Sequence, residues 1–145
     1  MNVLNEMKLE FLSRSANEAL ARSAVGQMAV QLDPTLEEMG DIKTSVSEAV
    51  TNAVVHAYPD RLGVVCLKAR ILEGGILEVT VRDRGIGIAD VEEARAALFT
   101  TGGEERSGMG FTIMESFMDK LRVRSAPGRG TTVVMRKRVT ARARQ

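Results

Sequence analysis

Much is missing from this chain of 145 residues, and each absence closes a class of answers. Tryptophan is absent and aromatic residues make up 3% of the chain. Proteins that hold single-stranded nucleic acid stack bases on aromatic side chains. No such platform is visible, so direct nucleic-acid binding is not expected. The one cysteine, Cys66, excludes an internal disulfide and fits a reducing compartment. No apolar run approaches the roughly 18 residues of a membrane-spanning helix. The first residues include Glu6, Lys8 and Glu10 rather than an apolar signal core, so a cytoplasmic protein away from membranes is expected. The P-loop string G-x-x-x-x-G-K-[ST] is lacking, and so is G-x-G-x-x-G.

What is present is ordinary: 44% apolar and 27% charged residues, in a length that predicts one domain. Such a chain buries around two-thirds of its unfolded surface. The net charge of +1 hides an asymmetry. Arg136, Lys137, Arg138, Arg142 and Arg144 fall in the last ten residues, which hold no acid. The remainder has 15 basic and 19 acidic residues. Residues 1–138 are read as the domain and 139–145 as a basic tail.

Alternation at Met7, Leu9 and Phe11 predicts a first strand. Ser15-Ala-Asn-Glu18 has capping-box spacing and opens a helix whose apolar stripe is Leu20, Ala24, Met28 and Leu32. Asp33-Pro34 breaks it. Thr35-Leu-Glu-Glu38 caps a second helix, which runs to about Ala57, where Pro59 forbids continuation. Residues 63–73 and 76–83 form a hairpin around Gly74-Gly75. A short helix is expected over 90–97, a loop over 98–107 and a helix over 109–120. Strands near 121–126 and 131–138 flank Pro127-Gly128-Arg129-Gly130. The order β-α-α-β-β-α-β-β predicts a two-layer α/β sandwich with a mixed, mainly antiparallel sheet and helices on one face.

Three features carry chemistry. Around the second helix, Ile42, Val46, Ala49, Ala53 and Ala57 share one stripe. Glu48 and Asn52 fall beside it, at about 240° and 280° from Ile42 and one turn apart. A carboxylate beside a carboxamide suits a hydrated Mg²⁺ with a proton acceptor nearby. The same spacing also describes a plain polar rim. Asp83 ends an apolar strand before Gly85 and Gly87, and could accept a hydrogen bond from an exocyclic amine such as that of adenine, with the glycines letting backbone approach a flat ring. A strand-ending Asp in a turn is the plainer reading. Arg106 precedes Gly108-Met-Gly110, read as a helix start whose bare N–H groups could meet phosphate.

Taken together and in order, Ser47-Glu-Ala-Val-Thr-Asn-Ala53, Asp83-x-Gly85-x-Gly87 and Gly108-x-Gly110 resemble the N, G1 and G2 boxes of the GHKL (Bergerat-fold) ATPases. The string 47–58 is similar to that of the anti-sigma-factor serine kinases. Leu98-Phe-Thr-Thr101 with Arg106-Ser-Gly-Met-Gly-Phe-Thr-Ile-Met-Glu115 resembles the sporulation anti-sigma-F branch. The resemblance spans about residues 7–138.

It implies an ATP- and Mg²⁺-dependent kinase, with ADP as product. Glu48 would be the catalytic base and Asn52 the metal ligand, also touching nucleotide. Asp83 would recognise adenine and Gly87 line its pocket. Residues 98–107 would form a lid. Arg106, Gly108 and Gly110 would lie near the phosphates, Thr100, Thr101, Ser107 and Met109 would also bind the nucleotide, and Thr131 would support adenine. The substrate implied is a serine of an anti-anti-sigma protein of the SpoIIAA type. The second implied activity is capture of a sigma factor of the sigma-F type by a homodimer, giving a nucleotide-dependent partner switch. Arg22, with Glu18 beside it at i, i+4 opposite the apolar stripe, would contact partners. The alternatives are a general-stress kinase of the RsbW type and a nucleotide-gated binding module without catalysis. His56, the one histidine, is read as a helix-end residue and Cys66 as a small core residue.

Overall fold

The computed structural model describes residues 1–88 and 104–139, with the side chains of 104–109 set aside. The expected helix at 90–97, the loop at 98–103 and the tail from 140 lie outside the described residues. Strand β1 (Val3–Leu12) leads into helix α1 (Ala16–Ala29), which ends in a 3₁₀ turn, Val30–Leu32. Helix α2 (Leu36–Asn52) continues into a wide π turn, Ala53–Ala57. Strands β2 (Val64–Leu72) and β3 (Ile76–Asp83) follow. Helix α3 (Glu104–Phe117) precedes β4 (Lys120–Ala126) and β5 (Gly130–Arg138).

The strands form one sheet in the order β1-β2-β3-β5-β4. Every pairing is antiparallel, where a partly mixed sheet was expected. Period-2 patterning then sorts the side chains. Phe11, Val65, Leu67, Leu77, Val79, Val81, Val133 and Met135 face inward. They meet Val25 of α1, Ile42 and Val46 of α2, and Phe111 and Met114 of α3 in one core. Each such side chain contributes roughly 1.5–3 kcal/mol by leaving water.

The Thr35 capping box forms in both directions, with Glu38 N–H donating to the Thr35 hydroxyl and Thr35 N–H to the Glu38 carboxylate. The Ser15 box does not form. Ser15 has helical angles, and backbone carbonyls take the neighbouring amides: Asn17 N–H donates to Arg14 and Glu18 N–H to Ser15. The buried stripe of α1 is also rotated from expectation. Ala21, Val25 and Met28 are buried while Leu20 is 50% exposed. At Gly26 a methyl group would meet only the flexible side chain of Lys43 on α2, 2.6 Å from its Cε.

Residues 104–107, read as loop, are helical, because Glu104 and Glu105 suit a helix N-terminus. The helix stops at Phe117, short of 120. Lys137 Nζ donates to the Phe117 carbonyl at 2.7 Å and stands 3.5 Å from Asp41, tying the helix end to β5 and α2. Cys66 is not a core residue. It lies on the outer sheet face, its thiol 3.4 Å from the Glu10 carboxylate. Burial, and then Glu10, push that thiol above its ordinary pKa.

Candidate functional site

Glu48 and Asn52 sit one turn apart near the end of α2, both half-buried. The π turn that follows re-aims the chain; such insertions are frequent at functional sites. Facing them is Gly110 of α3. A methyl group there would stand 3.2 Å from Glu48 Oε2 and 3.5 Å from the Asn52 amide atoms. The buried Asn52 Nδ2 has no hydrogen-bond partner. An amide so placed can present its oxygen to an ion without breaking any bond. Among the described residues, no group of three His, Cys, Asp or Glu side chains could hold a metal by itself. That donor set fits Mg²⁺, which keeps waters and substrate phosphates as most of its ligands and takes few from protein.

The second half of the site lies at the end of the sheet. Asp83, Thr131 and Ser125 are cross-strand neighbours on the inner face of β3, β5 and β4. Asp83 is 7% exposed. Its Oδ1 accepts from Gly85 N–H at 3.0 Å and Thr131 N–H at 3.2 Å. Burial pushes its carboxyl above the ordinary value, against the pull of those two amides. Among the described residues nothing donates to Oδ2. The carboxylate is therefore oriented on one oxygen and open on the other.

Gly85 and Gly87 lie against the protein's own backbone. A methyl group at Gly85 would overlap the Ala57 carbonyl, and one at Gly87 would overlap the Ala126 carbonyl. Their bareness lets the loop after β3 pack on the protein's own backbone. Gly87 also has φ +77°, a conformation glycine adopts without strain. Ile86 N–H donates to Ala57 and Gly128 N–H to Ile86, completing the seam. Two residues that the pattern did not single out hold this loop. The Ser125 hydroxyl accepts from Ile88 N–H at 2.7 Å and shares a 2.7 Å hydrogen bond with Thr131. The Tyr58 hydroxyl accepts from Arg84 N–H at 2.7 Å and donates to the Val64 carbonyl at 2.8 Å. A tyrosine beside Pro59 and a serine before Pro127-Gly128 were the available signals.

Gly108 and Gly110 lie within α3 rather than at its start. The bare N–H groups of that helix belong to its first four residues, 104–107. Arg106, Ser107 and Met109 lie on α3, their side chains outside the described set, and Thr100 and Thr101 are outside the described residues. Glu18 and Arg22 pair at 3.2 Å on α1. His56 is half-buried in the π turn. No helix among the described residues is long and apolar enough to cross a membrane.

The chain resembles known proteins along most of its length. The family model of the histidine kinase-like ATPase domain matches residues 11–137. The anti-sigma F factor of Halalkalibacterium halodurans is 57% identical over 140 residues, covering 94% of each chain. That of Caldanaerobacter subterraneus is 54% identical over 138 residues, covering 94% of this chain and 96% of its own. Among solved structures, the blue-light activated histidine kinase of Erythrobacter litoralis superposes with a TM-score of 0.61 at 26% identity, over 90% of this chain and 43% of its own. The RsbU and RsbW domains of a Mycobacterium tuberculosis protein share the fold, with a TM-score of 0.67 at 18% identity, over 93% of this chain and 32% of theirs. By the extent of these matches, the chain belongs to the anti-sigma F factor family, built on the histidine kinase-like ATPase domain.

Proposed function

We propose that this protein is an ATP-dependent serine kinase that also binds and inhibits a sigma factor of the sigma-F type. The observation that carries the kinase reading is the convergence of Glu48, Asn52 and Gly110, with an unpartnered amide on Asn52. Asp83 Oδ2 would accept the adenine amine, with Thr131 and Gly87 bracing that end. Asn52 would turn its amide oxygen to Mg²⁺, and Thr100, Thr101, Arg106, Ser107, Gly108, Met109 and Gly110 would lie along the phosphates. Bound Mg²⁺ would neutralise phosphate charge.

Glu48 would accept the proton of a serine hydroxyl on an anti-anti-sigma protein of the SpoIIAA type. The serine oxygen would then form its bond to the γ-phosphorus as the bond to ADP breaks. Positioning and charge stabilisation do most of the work in such transfers, and a base near the hydroxyl completes the set.

The likeness to anti-sigma F factors supports the sigma-factor half of the reading. A homodimer presenting Glu18 and Arg22 would hold the sigma factor, and the nucleotide state would decide between the two partners. A ligand shifts such a switch only by its differential affinity for the two states.

The deciding experiment follows label from ATP to the anti-anti-sigma protein of the same genome, with Mg²⁺ and with Glu48→Gln alongside. Transfer that falls by about 10²–10⁴ in the variant while ATP binding persists supports the assignment. Tight ATP binding with no transfer would replace it with a nucleotide-gated binding module.

A further inference from the structure

Among the described residues no helix packs on the outer face of the sheet, which is divided in two. At the end remote from Asp83, Glu6, Arg70, Glu78, Arg136 and Lys120 are direct cross-strand neighbours. The first four are ion-paired: Glu78 lies 2.8 Å from Arg136 and 3.6 Å from Arg70, which stands 3.9 Å from Glu6. Toward Asp83 the rows change. One reads Lys8, Lys68, Thr80, Val134, Arg122, and the next Glu10, Cys66, Arg82, Thr132, Arg124. These rows hold five cations and one carboxylate. Among the described residues none of the five cations forms an ion pair.

A groove of about 500 Å³ opens at this end, lined by Glu10, Tyr58, Arg61, Val64, Arg82 and Arg84. Its floor is firm, because the Tyr58 hydroxyl is bonded to both Arg84 N–H and the Val64 carbonyl. The Arg61 guanidinium lies 5.3 Å from the centroid of the Tyr58 ring. Along the rim Leu12, Leu62 and Val64 are exposed, and Leu12 and Val64 are cross-strand neighbours. Arginines without an ion pair among the described residues thus stand beside exposed aliphatic side chains.

We propose that this groove docks an extended acidic segment of a partner protein. Carboxylates of the segment would meet Arg61, Arg82 and Arg84, and its apolar side chains would cover Leu12, Leu62 and Val64. Guanidinium groups match carboxylates through paired, charge-assisted hydrogen bonds. A second copy of this face is disfavoured, since it would set cations against cations. Nucleic acid is disfavoured because Tyr58, the one aromatic side chain lining the groove, is 6% exposed and offers no stacking surface. A free phosphate would leave the aliphatic rim uncovered. The groove lies on the opposite face of the sheet from Asp83 and Thr131, so a docked segment leaves the nucleotide site open. The proposal stands independently of the kinase reading.

The test uses the full chain and a fluorescein-labelled peptide of alternating glutamate and leucine, read by anisotropy. Binding is expected to weaken about tenfold or more in Arg61→Glu/Arg82→Glu. It is also expected to weaken in Leu12→Ser/Val64→Ser. These positions are exposed, and thermal melting verifies that each variant is folded. Binding unchanged by the charge reversal would overturn the proposal. So would equal or tighter binding of an oligothymidylate of the same length. Complete displacement by inorganic phosphate, with no effect of the Leu12 and Val64 changes, would show a small-anion site and overturn it too.

Discussion

Gly110 on α3 faces Glu48 on α2 so closely that one added methyl group would stand 3.2 Å from the Glu48 carboxylate oxygen. The two residues are far apart in the chain, and their meeting brings the third helix against the second beside Asn52. Alanine is the better helix former by about 0.8–1 kcal/mol. Gly110→Ala should therefore leave thermal stability unchanged or raised, while Mg²⁺-ATP affinity falls about tenfold. Calorimetric titration beside a melting curve would show it. Lost stability with normal ATP affinity would mean that the glycine serves packing alone.

Asp83 predicts a trade between stability and binding. Its raised carboxyl pKa means that the folded chain holds the proton more tightly than the unfolded one. The stability it contributes is full below the ordinary value of 3.8 and is lost as pH rises through the folded value. Asp83→Asn keeps an accepting oxygen for Gly85 and Thr131 and removes the titration. The variant should be at least as stable as the parent at neutral pH, with any advantage shrinking in acid, and should lose ATP binding. Denaturant unfolding at neutral and acid pH tests the sign. A variant less stable than the parent at neutral pH contradicts it.

Arg22 predicts the opposite pattern, a residue that matters to partners and little to the fold. Its guanidinium pairs with Glu18 at 3.2 Å, and its side chain is 41% exposed. Such pairs contribute about 0.3–0.5 kcal/mol. Arg22→Ala should melt within a degree or two of the parent and bind ATP normally. Its affinity for the sigma factor and for the anti-anti-sigma protein should drop about tenfold or more. Surface plasmon resonance with both partners measures this, and full affinity for both would remove Arg22 from the contact.

Tyr58 is the test of the loop after β3. Tyr58→Phe keeps the ring that fills the space over Gly63, where a methyl group would overlap it. The change leaves the Arg84 N–H and the Val64 carbonyl without their shared partner. Losing such partly buried hydrogen bonds costs about 0.5–1.5 kcal/mol each. Urea unfolding should show a loss in that range, with ATP affinity weakened a few-fold because Arg84 adjoins Asp83. An unchanged midpoint would show that water replaces the hydroxyl.

The legible part of this protein was local. Alternation at Leu77, Val79 and Val81, the Thr35–Glu38 capping box and the Gly74-Gly75 hairpin each act over a few residues, so their spacing carries them directly. The placement of Glu48 and Asn52 beside the apolar stripe of α2 follows from helical geometry in the same way. Where local rules failed, a distant group had taken over. Backbone carbonyls replaced the Ser15 hydroxyl, close packing on α2 favoured Ala21 and Val25 over Leu20, and Lys137 ended α3 at Phe117.

By itself, then, the sequence determined the element order, the inward face of the first and third strands and the one-turn pairing of Glu48 with Asn52. Tertiary structure alone decided that Gly110 meets that pair, that Asp83 sits buried beside Thr131 and Ser125, and that unmatched arginines gather behind them. The physical reason is range. Periodicity and caps are set by neighbours within a turn or two, whereas strand register and helix packing bring together residues dozens of positions apart, and only the folded chain records which ones meet.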